Sequence, residues 1–145
     1  MDTAISMDIV TKGISNASIS GLVLSGIDGL RTVKYEEINN ACATEIISGF
    51  SSDALGATYK YDSDIVDQIN IQQATESIRD TQNTVLYKVT NSEGVKEFYS
   101  HTYQQLKKAM DDGVTSKLNA LARCASIKSS IATTESIDQL NAIHW

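Results

Sequence analysis

The chain has 145 residues and a formal charge of −6, a length that suits one domain burying its own core without disulfides or metal. Its twelve Lys and Arg are scattered and outnumbered by eighteen Asp and Glu, which excludes the clustered basic surface that a phosphate backbone requires. No basic region followed by an apolar run marks a secretory signal, and the longest apolar stretch, residues 22–24, is far below the roughly 20 residues of a membrane helix. A soluble protein made in the cytoplasm is expected, with neither nucleic acid nor membrane insertion among its interactions.

Residues 1–31 read differently from the rest. The segment 12–26 is rich in Ser, Gly and β-branched residues, and Ile14, Ile19 and Leu24 do not recur at helical spacing. It reads as an extended N-terminal arm, with one short strand around residues 19–24. Such an arm is either a loosely ordered tail or a peptide that docks on a neighbouring subunit by adding a strand.

The spacing predicts a helix over about 34–48, with Val33, Ile38, Ala41, Cys42 and Ile46 as its apolar stripe and Gly49 closing it. Residues 51–56 carry turn chemistry. Residues 57–61 then alternate, placing Tyr59 and Tyr61 on one face of a short strand. Asp62 or Ser63 is expected to cap a helix over about 64–80. On that helix Ile65 and Ile69 lie roughly opposite Ile71, Ala74 and Ile78 at 100° per residue. Either the helix breaks near Asn70, or it is covered on two sides, as a helix between its own domain and a partner would be.

Residues 84–90 and 95–100 are the clearest strands, joined by Asn91-Ser92-Glu93-Gly94 into a hairpin. A lone hairpin is marginal, so a third strand, with 57–61 available, or a layer of helices must support it. Thr102-Tyr103-Gln104-Gln105 matches a capping box. The long helix it opens carries Tyr103, Leu106, Met110, Val114, Leu118, Leu121, Ala125, Lys128 and Ile131 at intervals of three or four, with Gly113 as its weak point. Thr133-Thr134 is expected to open a short last helix bearing Ile137, Leu140 and Ile143. With the chain stopping at Trp145, this end reads as a finished packing element.

The fold class is therefore α+β: a small antiparallel sheet, made of the hairpin at about 84–100 plus a short strand at 57–61, packed on three or four helices including a long C-terminal one. The domain runs over 34–145, preceded by the arm at 1–31.

Catalytic chemistry is sparse. His101 and His144 stand in no zinc-binding spacing; His101 is expected to pack on Leu106 as a staple at the helix start, and His144 lies beside Trp145. Asp62-Ser63-Asp64-Ile65-Val66-Asp67 begins like a calcium loop. It lacks the glycine at the sixth position, however, and Gln73 stands where a bidentate Glu is needed. Gly21, Gly26 and Gly29 form no phosphate loop, and no serine has a nucleophile-elbow context. Cys42 and Cys124 have no CxxC partner and read as small buried apolar residues in a reducing compartment. No catalytic, cofactor-binding or metal-ligating residue is assigned, and no cofactor is expected.

One resemblance stands out. Ile47-Ser48-Gly49-Phe50-Ser51-Ser52-Asp53-Ala54-Leu55-Gly56-Ala57-Thr58-Tyr59-Lys60-Tyr61-Asp62, followed by Asp67-Gln68-Ile69-Asn70-Ile71, resembles a domain of unknown function found in bacteriophage and prophage tail and tail-fibre proteins. His101-Thr102-Tyr103-Gln104-Gln105-Leu106 is similar to that family's long-helix start, and Ile131-Ala132-Thr133-Thr134-Glu135 to its last turn. Ile71 replaces the usual Leu. The resemblance covers about 34–145 and leaves the arm unmatched. It implies a structural, non-enzymatic virion tail component that docks to or links other tail subunits in several copies, the arm 1–31 being one means of docking. The alternatives are a tail-fibre assembly chaperone absent from the particle, and a small enzyme acting on host surface polymer. The lack of a carboxylate pair counts against the enzyme. Within the motif, Leu55 and Tyr59 read as core, Gly49 and Gly56 as backbone requirements, and Asp67, Gln68 and Asn70 as a polar network near the strands.

Overall fold

A computed structural model describes residues 26–145 of the chain. In chain order the elements are α1 (Gly26–Ile47), β1 (Phe50–Ser52), β2 (Tyr59–Tyr61), α2 (Ile65–Ser77), β3 (Thr84–Thr90), β4 (Lys96–Thr102), α3 (Tyr103–Thr133) and α4 (Ile137–Asn141). The fold is α+β, a four-stranded antiparallel sheet of order β1-β2-β3-β4 packed against helices. The expected hairpin and third strand are present. The fourth strand, β1, falls where the sequence reads as a turn. The strand expected around 19–24, and the part of the arm before Gly26, lie outside the described residues. Residues 26–31, read as the last part of the arm, belong to α1.

The chain divides into two compact units, with boundaries inside α1 and α3: residues 26–40 with 124–145, and Ala41–Arg123. In the second unit the hairpin pairs Tyr87 with Tyr99 and Val85 with His101 on one face. That face and β2 supply Tyr61 and Val89 to a core completed by Ile71 and Ile78 from the α2 region and by Leu106 and Ala109 of α3. Phe50, Leu55, Tyr59 and Tyr87 pack around it half-buried. The opposite face leaves Leu86 and Phe98 open to solvent, with the Lys88 ammonium over the Phe98 ring. An antiparallel sheet commonly keeps one face wet in this way. The hairpin loop is tied by Asn91, whose Oδ1 accepts from the amides of Glu93 and Val95. Cys42 is buried, its Sγ 3.7 Å from the Ala120 carbonyl.

Helix ends follow local chemistry, with several shifts from expectation. The capping box at α3 is as expected: the Thr102 amide donates to Gln105 Oε1 at 2.8 Å and the Gln105 amide to Thr102 Oγ1 at 3.2 Å. At α2 the cap is Asp64, not Asp62 or Ser63, because Asp64 and Asp67 exchange backbone-to-carboxylate bonds reciprocally. Asp62 instead pairs with Lys96 at 2.6 Å. The helix does not break at Asn70: it runs on with Ile71 and Thr75 buried, while Ile65, Val66 and Ile69 stay exposed. The last helix is capped by Ser136, not by the Thr133-Thr134 pair, and α3 continues through Thr133.

In the unit of 26–40 and 124–145 the buried residues include Ile38, Cys124, Ile131 and Leu140. Val33, placed on the apolar stripe by its type, is 58% exposed, and Lys34 lies buried in the row of Ile38. Its ammonium donates to the carbonyls of Asn141 (3.3 Å) and Ile143 (2.9 Å) at the end of α4. Arg31 donates likewise to the carbonyls of Ile131 (3.3 Å) and Thr134 (2.8 Å) at the end of α3. The last carbonyls of a helix lack intrahelical partners and sit at the negative end of its dipole, so two cations from α1 satisfy them.

Candidate docking cleft

The geometry that matters begins at the turn after α1. Gly49 has φ +103, and a Cβ there would lie 2.9 Å from the Tyr61 carbonyl oxygen and 2.8 Å from Lys60 Cε. Only glycine satisfies both constraints. The turn is held by Ser63, whose hydroxyl accepts from the Gly49 amide at 2.8 Å and donates to the Ile46 carbonyl at 2.6 Å. This directs Phe50 inward, stacked on Tyr61 at 5.4 Å between ring centroids. The other edge of the Phe50 ring meets α3 at Gly113, where an added Cβ would approach Phe50 Cε1 to 2.8 Å. Gly113 is thus a seat for an aromatic ring and not the weak point expected; α3 runs unbroken through it.

Beside this contact lies a cleft of about 330 Å³, within the size range of small-ligand sites. Its floor and walls include Ile46, Phe50, Ile71, Met110 and Val114, and its rim carries Gln68, Gln72, Ser116 and Lys117. The Gln68 side chain donates to the Ser63 carbonyl at 2.9 Å and accepts from the Lys117 ammonium at 3.3 Å. Asp62 also lines the cleft, its charge balanced by Lys96.

The row of large apolar residues on α3 does not follow its buried line. Leu106, Ala109 and Ala120 are buried, whereas Val114, Leu118 and Leu121 are 52%, 58% and 44% exposed. The sequence places all three in one core stripe with Leu106 and Met110. From Leu106 to Leu118 the large residues recur every four positions, and at 100° per residue each such step turns the row about 40° off the buried side, while the small residues Ala109, Gly113 and Ala120 take the contact side instead. Ile47, at the end of α1, is half exposed as well.

His101 is fully buried on the core face of β4, directly before the Thr102 cap. Its Nδ1 lies 2.7 Å from the Tyr99 carbonyl, which can only accept, so Nδ1 carries the proton. Nε2 then accepts from the Tyr61 hydroxyl at 2.9 Å. Burial, followed by the influence of Tyr87, Asp112 and Tyr59, pushes the Tyr61 phenol up to about 12, which keeps it a donor. Burial lowers the His101 pKa, and the bond to the Tyr99 carbonyl partly opposes this. The neutral imidazole is a core bond, positioned to stabilise the sheet. His144 Nδ1 meets Glu37 at 2.9 Å, a bond that together with Lys34 holds the Glu37 carboxyl below its usual range.

Of the other residues singled out by the motif, Leu55 and Tyr59 pack on the core. Gly56 adopts φ +94 in open space. Asp67 closes the α2 cap and Gln68 braces the cleft, while Asn70 is exposed. Ile46, Gln72, Gly113 and Lys117 carry no sequence signal of joint placement. The displaced apolar row on α3 is the one trace of the cleft legible in the chain.

Among the described residues, no helix is long and apolar enough to cross a membrane, and no three His, Cys, Asp or Glu side chains converge as metal ligands. No curated protein and no solved structure matches the chain. Residues 29–143 match the family described as "Domain of unknown function (DUF4376)", a match that starts within the stretch read as arm. The chain belongs to that family.

Proposed function

We propose that this domain is a structural, non-enzymatic protein-binding module of a bacteriophage tail or tail fibre, docking to or linking other tail subunits in several copies. The observation that carries the binding role is the set of large apolar side chains left open: Val114, Leu118 and Leu121 on α3 beside an apolar cleft, and Ile65, Val66 and Ile69 on α2. Large apolar side chains grouped in the open on one helix support an interaction role. The tail setting is supported by the motif resemblance over 47–62 and 67–71. The part of the arm before Gly26 is a second means of docking in this reading.

Mass spectrometry of purified particles tests the assignment. The expected result is this chain at a fixed stoichiometry to the other tail proteins. Its presence in infected cells but absence from particles would replace the structural role with that of an assembly chaperone. Degradation of host surface polysaccharide or peptidoglycan by the purified chain would replace both with an enzyme.

A further inference from the structure

We infer that the cleft beside Gly113 receives a polypeptide segment of the partner that presents a bulky apolar side chain next to a carboxylate. This deepens the docking role proposed above and rests on it.

Two features define the occupant. Phe50, Ile71, Met110 and Val114 give the cleft an apolar interior suited to one large side chain. At its rim the Lys117 ammonium is bonded to the neutral amide oxygen of Gln68, in contrast to Lys96, Lys107 and Lys108, each of which meets a carboxylate. Asp62, the other charged residue of the lining, is paired with Lys96, which leaves the Lys117 ammonium as the lining charge without a carboxylate partner among the described residues. An anion at Lys117 would form a charge-assisted bond stronger than the amide bond it replaces. A polypeptide, as opposed to a compact free molecule, is indicated by apolar surface that continues along α3 past the lining. Leu118 stands one turn beyond Val114 on the same helix face and is 58% exposed.

The test is a nuclear magnetic resonance titration of the full isotopically labelled chain near neutral pH. The probes are two capped tetrapeptides, acetyl-Gly-Phe-Asp-Gly-amide and the same peptide with Asn for Asp. Both should shift the amides of Phe50, Gly113, Val114 and Lys117, with the Asp peptide binding roughly two- to fivefold more tightly, the range of an exposed ion pair. Lys117→Gln should erase that preference, so that the two peptides bind the variant equally. Val114→Trp, a substitution on the exposed part of the cleft wall, should weaken both peptides by filling the cleft. The inference is overturned if neither peptide shifts those amides, if both bind the wild type equally, or if the preference survives in Lys117→Gln. The titration uses the isolated chain and no particles, so its failure leaves the tail assignment to be judged by mass spectrometry, and the converse holds.

Discussion

The two units are held by different chemistry. Beneath the sheet, Tyr61 stacks on Phe50, packs near Tyr87 and His101, and donates to the imidazole, so rings and one buried hydrogen bond share a dry core. In residues 26–40 and 124–145, Lys34 and Arg31 bind the carbonyl ends of α4 and α3, and apolar burial is spread over fewer large side chains. The contrast teaches that a ring core resists loss of any one polar bond better than loss of a ring. A unit held by cations on helix ends should respond in the opposite way.

The largest expected effect follows directly. Tyr61→Ala should destabilise the sheet unit by about 3–5 kcal/mol, as for other large buried aromatics, read by denaturant unfolding. Tyr61→Phe keeps the ring but leaves His101 Nε2 without its donor, at a cost of about 1–3 kcal/mol. If both variants cost the same, the hydrogen bond and not the ring dominates, and the contrast between the units fails.

Next in size is Lys34→Met, which keeps the apolar stem but strips the Asn141 and Ile143 carbonyls of their donor. A loss of about 1.5–3 kcal/mol is expected, the range of hydrogen bonds to charged groups. Hydrogen exchange should quicken at the amides of α4 and leave those of β3 and β4 unchanged. Unchanged protection in α4 would show that apolar contacts alone hold that unit.

Thr102→Ala should cost about 0.5–2 kcal/mol through the lost cap, while the neighbouring exposed Gln104→Ala should cost little. Thermal unfolding of the two variants side by side sharpens how much of the sheet unit depends on the start of α3.

The smallest effect is a pH dependence. His101 has its folded pKa below the ordinary 6.5, so its burial contributes stability that is fully present above 6.5 and lost as pH falls through the lowered folded value. The opposing bond to the Tyr99 carbonyl keeps the loss modest. Stability measured from pH 7.5 downward should decline in this window before the carboxylates titrate, and His101→Phe should flatten the decline.

What the sequence made legible was local. The hairpin, its Asn91–Gly94 loop and the Thr102–Gln105 box are patterns that neighbouring residues complete among themselves, and each is found where expected. The misses have long-range causes. β1 is three residues of Phe-Ser-Ser that become a strand only by pairing with β2. The burial of Lys34 leaves no sequence signal, because the carbonyls that accept from it lie more than a hundred positions away. The hydrogen bond of His101 could not be read locally either, since its donor Tyr61 lies forty positions earlier. The cleft gathers residues from α1, β1, α2 and α3, so no window of sequence contains it.

The seating of Phe50 against Gly113 carries a consequence for inheritance. The ring excludes a methyl group at position 113, so the two positions behave as a single evolutionary character although they lie in separate elements. Where a relative of this chain loses the aromatic ring at the position of Phe50, the constraint on its partner disappears. Helix propensity, which favours alanine over glycine by about 1 kcal/mol, should then draw that position toward alanine. An alignment of the family would record this as paired substitution, with aromatic-plus-alanine as the combination that selection removes.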